Sequence, residues 1–130
     1  AADFFSRVAF YKQKGTLFDL AILDAPFFST TKKGSVDLAG QVVRLVNKLR
    51  PLVAHGGRLV VVNNALFLSG NEFFQSMQSL CTGGYLRIQQ IIPIPEDITG
   101  YPTTVVREPP ADPAPFNHPT KILVMGVERK

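Results

Sequence analysis

Cysteine is almost missing from this 130-residue sequence: Cys81 stands alone. A single thiol excludes an internal disulfide and a cysteine-built metal cage. Histidine is as scarce, with His55 and His118 far apart, so no metal site is expected. No apolar run approaches the roughly 18 residues that a membrane-spanning helix needs. The opening stretch AADFFSRVAFYKQK lacks a basic segment followed by an apolar one, so no secretory signal is expected. There is no internal repeat and no low-complexity tract. Neither a glycine-rich nucleotide fingerprint nor a nucleophile on a strand-to-helix turn is present, which argues against a piece of a dehydrogenase or hydrolase. What the chain does have is 45% hydrophobic residues, enough for a core, and 14 basic against 10 acidic residues. The resulting charge of +4, with a pI near 9.5, suits a polyanionic partner. The composition describes a soluble, cytoplasmic globular chain with no membrane association.

Proline is unevenly placed, with eight of the ten between Pro93 and Pro119. The sequence therefore divides into a regular part up to residue 92, a long irregular excursion and a final short strand. Residues 3 to 14 keep Phe4, Phe5, Val8 and Tyr11 at helical offsets, with Asp3 as N-cap and Gly15 as stop. FDLAILD, residues 18 to 24, holds an uninterrupted apolar run, as expected of a strand covered on both faces. From Ser35 to Leu49 the residues Ala39, Val42, Val43, Val46 and Leu49 predict an amphipathic helix capped by Ser35. Asp37, Gln41, Arg44 and Lys48 take its wet face. Pro51 would kink this helix and Gly56-Gly57 would end it. RLVVVNN, residues 58 to 64, predicts a second buried strand. Residues 71 to 81 predict a helix with Phe73, Phe74, Met77 and Leu80 on one face. Tyr85 to Ile94 and Lys121 to Val127 read as strands.

Alternation of this kind predicts a doubly wound α/β fold, a mostly parallel sheet with helices on its faces. A right-handed crossover sets the two buried strands side by side. Ligands bind such sheets at the carboxyl ends of the strands, where Asp24 and Asn63-Asn64 lie. Asp24-Ala25-Pro26-Phe27-Phe28 is the sharpest candidate. Its carboxylate could accept from an amine or hydroxyl, its proline would fix the turn, and an aromatic ring could stack on a base. The same residues could simply cap a loop and finish the core. Lys32 and Lys33 follow closely and could meet backbone phosphates. His118, in PFNHP, could touch a substrate or pack its loop.

FDLAILDAPFF resembles the fourth motif of class I S-adenosylmethionine-dependent methyltransferases, where a buried strand runs into an Asp/Asn-Pro-Pro-Tyr/Phe element. LRPLVAHGGRLVVVNN is similar to the helix, turn and fifth strand of that fold, and PFNHPTKILVMGVERK to the approach and antiparallel last strand. Ala2-Asp3-Phe4-Phe5 resembles the element that contacts the cofactor's adenine. The nearest likeness is to RNA base methyltransferases of the ribosomal 5-methylcytosine type. The resemblance implies a Rossmann-like methyltransferase sheet, present as its C-terminal half and mostly parallel with an antiparallel last strand. It implies S-adenosylmethionine as cofactor and RNA, ribosomal RNA in the finer reading, as partner. Asp24 would orient the acceptor or cofactor, Pro26 would fix the turn, and Phe27 would stack on the base. Asp3 and Phe4 would hold the adenine end. Phe28, Lys32, Lys33, Asn63, Asn64 and His118 would meet the substrate.

Two departures accompany the likeness. None of the ten glycines supplies the family's cofactor loop, which would lie before residue 1 together with the acidic residue that holds the ribose. The edge beside FDLAILD would then be open, to be covered by an N-terminal half or a second chain. The second departure concerns the reaction. Methylation of carbon 5 of a pyrimidine needs a thiolate after the fifth strand, where this sequence has Val62-Asn63-Asn64-Ala65. Cys81 reads as a core residue. Transfer to an exocyclic nitrogen needs no thiol, although Ala25 stands where that motif carries its first proline. The rival expectation is a non-catalytic RNA-binding or interaction module on the same sheet.

Overall fold

The computed structural model describes residues 3–25, 28–31, 34–37, 41–99 and 115–129. Helix α1 (Phe4–Gln13) begins at Asp3, whose carboxylate accepts from the backbone N–H of Ser6 at 3.2 Å. It is followed by Gly15 at φ 63°, the left-handed region that favours glycine. Strand β1 (Phe18–Asp24) follows with the expected bounds. A hairpin comes next, β2 (Phe28–Thr31) antiparallel to β3 (Gly34–Asp37). Ser35 therefore lies in a strand, and the expected helix from Ser35 is corrected: α2 runs Val42–Leu49 from Gln41. Aromatic and β-branched Phe28, Thr30, Thr31 and Val36 suit a pleated ladder, and that local preference prevails over the helical spacing.

A 3₁₀ turn (Arg50–Leu52) takes the chain from α2 directly into β4 (Val53–Asn63). The glycines consequently lie inside a strand and do not end a helix. Opposite β1 the register jumps from Phe18↔Val53 to Leu20↔Arg58, so the stretch between bulges outward. Gly56 adopts φ 76° there, and a Cβ on Gly57 would lie 2.9 Å from the carbonyl oxygen of Asp19. Helix α3 (Gly70–Ser79) starts with a capping box in which Ser69 and Glu72 satisfy each other's backbone N–H. Strand β5 (Leu86–Ile92), the short α4 (Glu96–Thr99) and β6 (Lys121–Val127) complete the described elements.

The main sheet has the order β1-β4-β6-β5, with β1 parallel to β4 and β6 antiparallel to both neighbours. Three strands thus point one way and β6 the other. This is the α/β, Rossmann-like sheet with an antiparallel last strand that the sequence predicts.

Helices on both faces were expected; among the described residues, helices pack on one face. Leu23, Leu59, Val61, Leu123 and Met125 share one face and form a single core with Val46 of α2 and Phe73 and Met77 of α3. Phe4 and Phe5 of α1 pack against that same core. On the opposite face Val60, Val62 and Ile122 are only half-buried. Leu20 and Ile22 of β1 are 53% and 63% exposed. The run LAIL is therefore covered on one face, contrary to its reading as a strand buried on both. Among the described strands β1 pairs only with β4, so it is an edge of this sheet.

Candidate functional site

Because β1 and β4 are parallel, their carboxyl ends lie side by side, with Asp24 opposite Val62. The two polar ends suggested by the sequence therefore meet. Asn64 donates through Nδ2 to Oδ1 of Asp24 at 3.4 Å, across 40 residues of chain. The Asp24 carboxylate is otherwise exposed to solvent, able to accept from an amine or hydroxyl.

Asn63 has a different role. Its side chain is buried, and its Oδ1 accepts from the backbone N–H of Ala65 at 2.9 Å, so it shapes the turn after β4. Directly opposite Asn63 lies Lys121, the first residue of β6. Lys121 is only 1% exposed, and its Nζ donates to the carbonyls of Ala65 at 2.8 Å and Pro119 at 2.7 Å. One ammonium thus ties the loop after β4 to the segment before β6, at the same end of the sheet as Asp24. Burial of a charge is tolerated when hydrogen bonds satisfy it. Sequence reasoning missed this residue. The available signal was a lysine opening the otherwise apolar strand KILVMGV.

Neighbouring contacts stiffen this end of the sheet. Glu72 has its carboxyl held below the usual carboxylate range by the Ser69 hydroxyl and the Ser69 backbone N–H, with the Lys121 ammonium adding to the effect. Asn117 donates through Nδ2 to the carbonyl of Ile94 at 3.0 Å, joining the two flanks of the proline-rich excursion. Phe116 is buried near Phe74, their centroids 6.2 Å apart, and occupies the space that a side chain on Gly70 would take.

The remaining candidates separate clearly. His118 is half-buried and its Nδ1 accepts from the N–H of Thr120 at 3.1 Å, a loop-forming bond at the site end of β6. The Asp3 carboxylate caps α1, and Phe4 sits edge-on to Phe5 with centroids 5.3 Å apart. Pro26, Phe27, Lys32 and Lys33 lie outside the described residues, as does the side chain of Phe28. His55 belongs to the amino-terminal half of β4, where its Nδ1 accepts from the N–H of Arg129 at 3.0 Å. It is therefore remote from the carboxyl ends of β1 and β4. Cys81 follows α3 near the start of β5, at the opposite end of the sheet from Asp24, with its thiol directed to the carbonyl of Met77. The expectation that it is a core thiol agrees with its packing against the main cluster. Among the described residues no group of histidine, cysteine and carboxylate side chains could hold a metal, and no helix is long and apolar enough to cross a membrane.

No protein-family model matches the chain, and no curated protein matches its sequence. Solved structures do match. SMU.776, a proposed methyltransferase in complex with SAH, superimposes with a TM-score of 0.76 at 14% identity. A proposed SAM-dependent methyltransferase from Streptococcus mutans gives 0.69 at 16% identity. In both cases the match covers 98% of this chain and 30% of the neighbour. M1.HpyAVI with SAM gives 0.55 at 18% identity, covering 99% of this chain and 52% of that one. The likeness is one of fold: the chain's architecture matches part of the fold of structures described as methyltransferases. It spans about one third to one half of the length of these neighbours.

Proposed function

We propose that this chain is a single partial domain, residues 1–130, forming the C-terminal half of a class I methyltransferase. It would take part in methyl transfer from S-adenosylmethionine to a base in RNA. The observation that carries the reading is the exposed Asp24 carboxylate, hydrogen-bonded to Asn64 at the carboxyl end of a sheet whose neighbours were solved with SAH and SAM. The residues present fit part of such a cofactor. Asp24 offers an acceptor for its amine or hydroxyl groups, and Phe4 offers an aromatic edge. The Asp3 carboxylate is already occupied as a helix cap, which leaves the adenine end to Phe4. S-adenosylmethionine, when bound, supplies an electrophilic methyl group.

The chain's own contribution would be placement. Asp24 would orient the acceptor with Asn64 holding its carboxylate, Pro26 would fix the turn, and Phe27 would stack on the base. A fixed geometry of this kind lowers the barrier by settling orientation before reaction. The absence of a thiol after β4, with Cys81 at the other end of the sheet, favours a nitrogen acceptor over carbon 5. An RNA partner, ribosomal in the finer reading, is supported by the charge of +4 and by Lys32 and Lys33, which follow Asp24 closely in the sequence. The open edge of β1 and the exposed Leu20 and Ile22 favour a covering polypeptide, either an N-terminal half or a second chain. The exposed edge also supports the second reading, a non-catalytic RNA-binding or interaction module, which the capped state of Asp3 favours as well.

Calorimetric titration of S-adenosylmethionine into wild type and Asp24→Ala tests the proposal. Heat that saturates with wild type and disappears in the variant supports a cofactor contact at Asp24. Equal heat in both would remove Asp24 from the site; no heat from folded wild type would assign the binding to the N-terminal half, and the non-catalytic module would gain ground if no longer chain exists.

A further inference from the structure

Helices α1 and α2 lie against each other, and a cleft of about 540 Å³ opens where they meet, lined by Lys12, Gln41, Val43, Arg44, Asn47 and Lys48. Among the described residues that line it, three are cationic, two carry an amide and none is acidic. Neither helix contains an acidic residue, although the chain has ten. Arg44 and Lys48, both exposed, are four residues apart on α2 and therefore neighbours on one helix face. An opposite charge at that spacing would support the helix, whereas these two like charges repel.

Arg44 is also held in place. Its Nη1 donates to Oε1 of Gln41 at 3.2 Å, and its guanidinium carbon lies 5.3 Å from the centroid of the Phe5 ring. Phe5 in turn packs against the core. One hydrogen bond and one cation–π contact thus fix the guanidinium between the two helices, with N–H donors left over. A fixed guanidinium with donors to spare matches a phosphate, which it can meet through two parallel bonds. Ordering it in the free protein lowers the entropy lost on binding. Lysines supply further charge, and side-chain amides such as that of Asn47 serve phosphate and sugar oxygens. Only Val43 is apolar among the lining residues, too little for the desolvated anchors that hold a polypeptide partner.

We propose that the cleft between α1 and α2 is a phosphate-binding track for the backbone of RNA, with Arg44, Lys48 and Lys12 as its contact residues. This rests on the RNA reading above and adds to it a site on the helices, apart from the strand ends that carry Asp24 and Asn64. Contacts of this kind position a strand without reading its sequence.

The test uses the full chain and two short end-labelled single-stranded RNAs of equal length, an oligouridylate and a mixed sequence, with anisotropy measured over a series of salt concentrations. Wild type should bind both RNAs alike. Arg44→Gln with Lys48→Gln should weaken binding roughly tenfold and flatten the log–log salt slope by about 1.4, the counterion release of two single-strand phosphate contacts. Lys12→Gln with Lys48→Gln, which leaves the Arg44 contacts intact, should do the same. Arg58→Gln with Arg87→Gln removes the same charge from exposed positions on the sheet and should keep the wild-type slope. Far-ultraviolet circular dichroism should be the same for all four proteins. If both cleft variants keep the wild-type slope, the track is wrong while the RNA reading stands. Equal losses in the cleft and sheet variants would mean that net charge alone attracts RNA, which also overturns the track. Tighter binding of polyglutamate than of RNA would assign the cleft to an acidic polypeptide instead. If wild type binds neither RNA even at the lowest salt, both readings fall.

Discussion

Replacing Lys121 with methionine separates its hydrogen bonds from its packing. Methionine keeps a long unbranched stem of similar volume and deletes the ammonium. Two bonds of 2.8 and 2.7 Å disappear, leaving Pro119 without that donor and Ala65 with the long 3.4 Å contact from Leu68. Hydrogen bonds to charged groups contribute about 1.5–3 kcal/mol each, so the gross loss is roughly 3–6 kcal/mol. Against this, the variant no longer desolvates an ammonium, a term of several kcal/mol that offsets part of the loss. The difference predicts a net destabilisation of about 2–3 kcal/mol. Equilibrium urea unfolding followed by circular dichroism would show it as a lower midpoint at an unchanged slope. Lys121→Arg should also destabilise, because a site only 1% exposed has no room for the larger guanidinium. A Lys121→Met protein as stable as wild type would refute the reasoning, since the bonds would then only repay the burial of the charge.

Further outcomes follow from the open face and the capping box. Leu20→Lys with Ile22→Lys should change unfolding free energy by less than about 0.5 kcal/mol, because both positions already face solvent, whereas Leu59→Ala should cost about 2–5 kcal/mol. Sedimentation velocity should show less self-association in the double lysine variant, and a loss of fold in it would mean that the face is covered. Ser69→Ala should cost about 1 kcal/mol through loss of the N-cap. Because the folded-state pKa of Glu72 lies below its ordinary value, its contribution is present above the ordinary carboxylate range and is lost as pH falls through the depressed value. Acid titration of stability should therefore show a smaller loss in Glu72→Gln than in wild type, and identical profiles would contradict the assigned bonds.

What the sequence determined by itself was local. The bounds of β1 and β6, the cap and stop of α1 and the apolar face of α3 depend on residues within a few positions of one another. Composition and periodicity report such features directly. The polar ends of the two parallel strands were legible too, because a buried run must stop where it meets water, and parallel pairing then makes Asp24 and Asn64 neighbours. The hairpin at 28–37 was not legible, since the helical spacing that begins at Ala39 was carried back to Ser35, over the second strand of the hairpin. The glycines at 56 and 57 looked like a helix stop, yet they serve a bulge that exists only because β1 lies alongside. Only the tertiary structure decided that LAIL is covered on one face. An apolar run shows that burial is favourable, whereas coverage depends on which other elements reach it. It alone paired Lys121 with Ala65, 56 residues away, turning a charge in an apolar strand into the clamp of the candidate site.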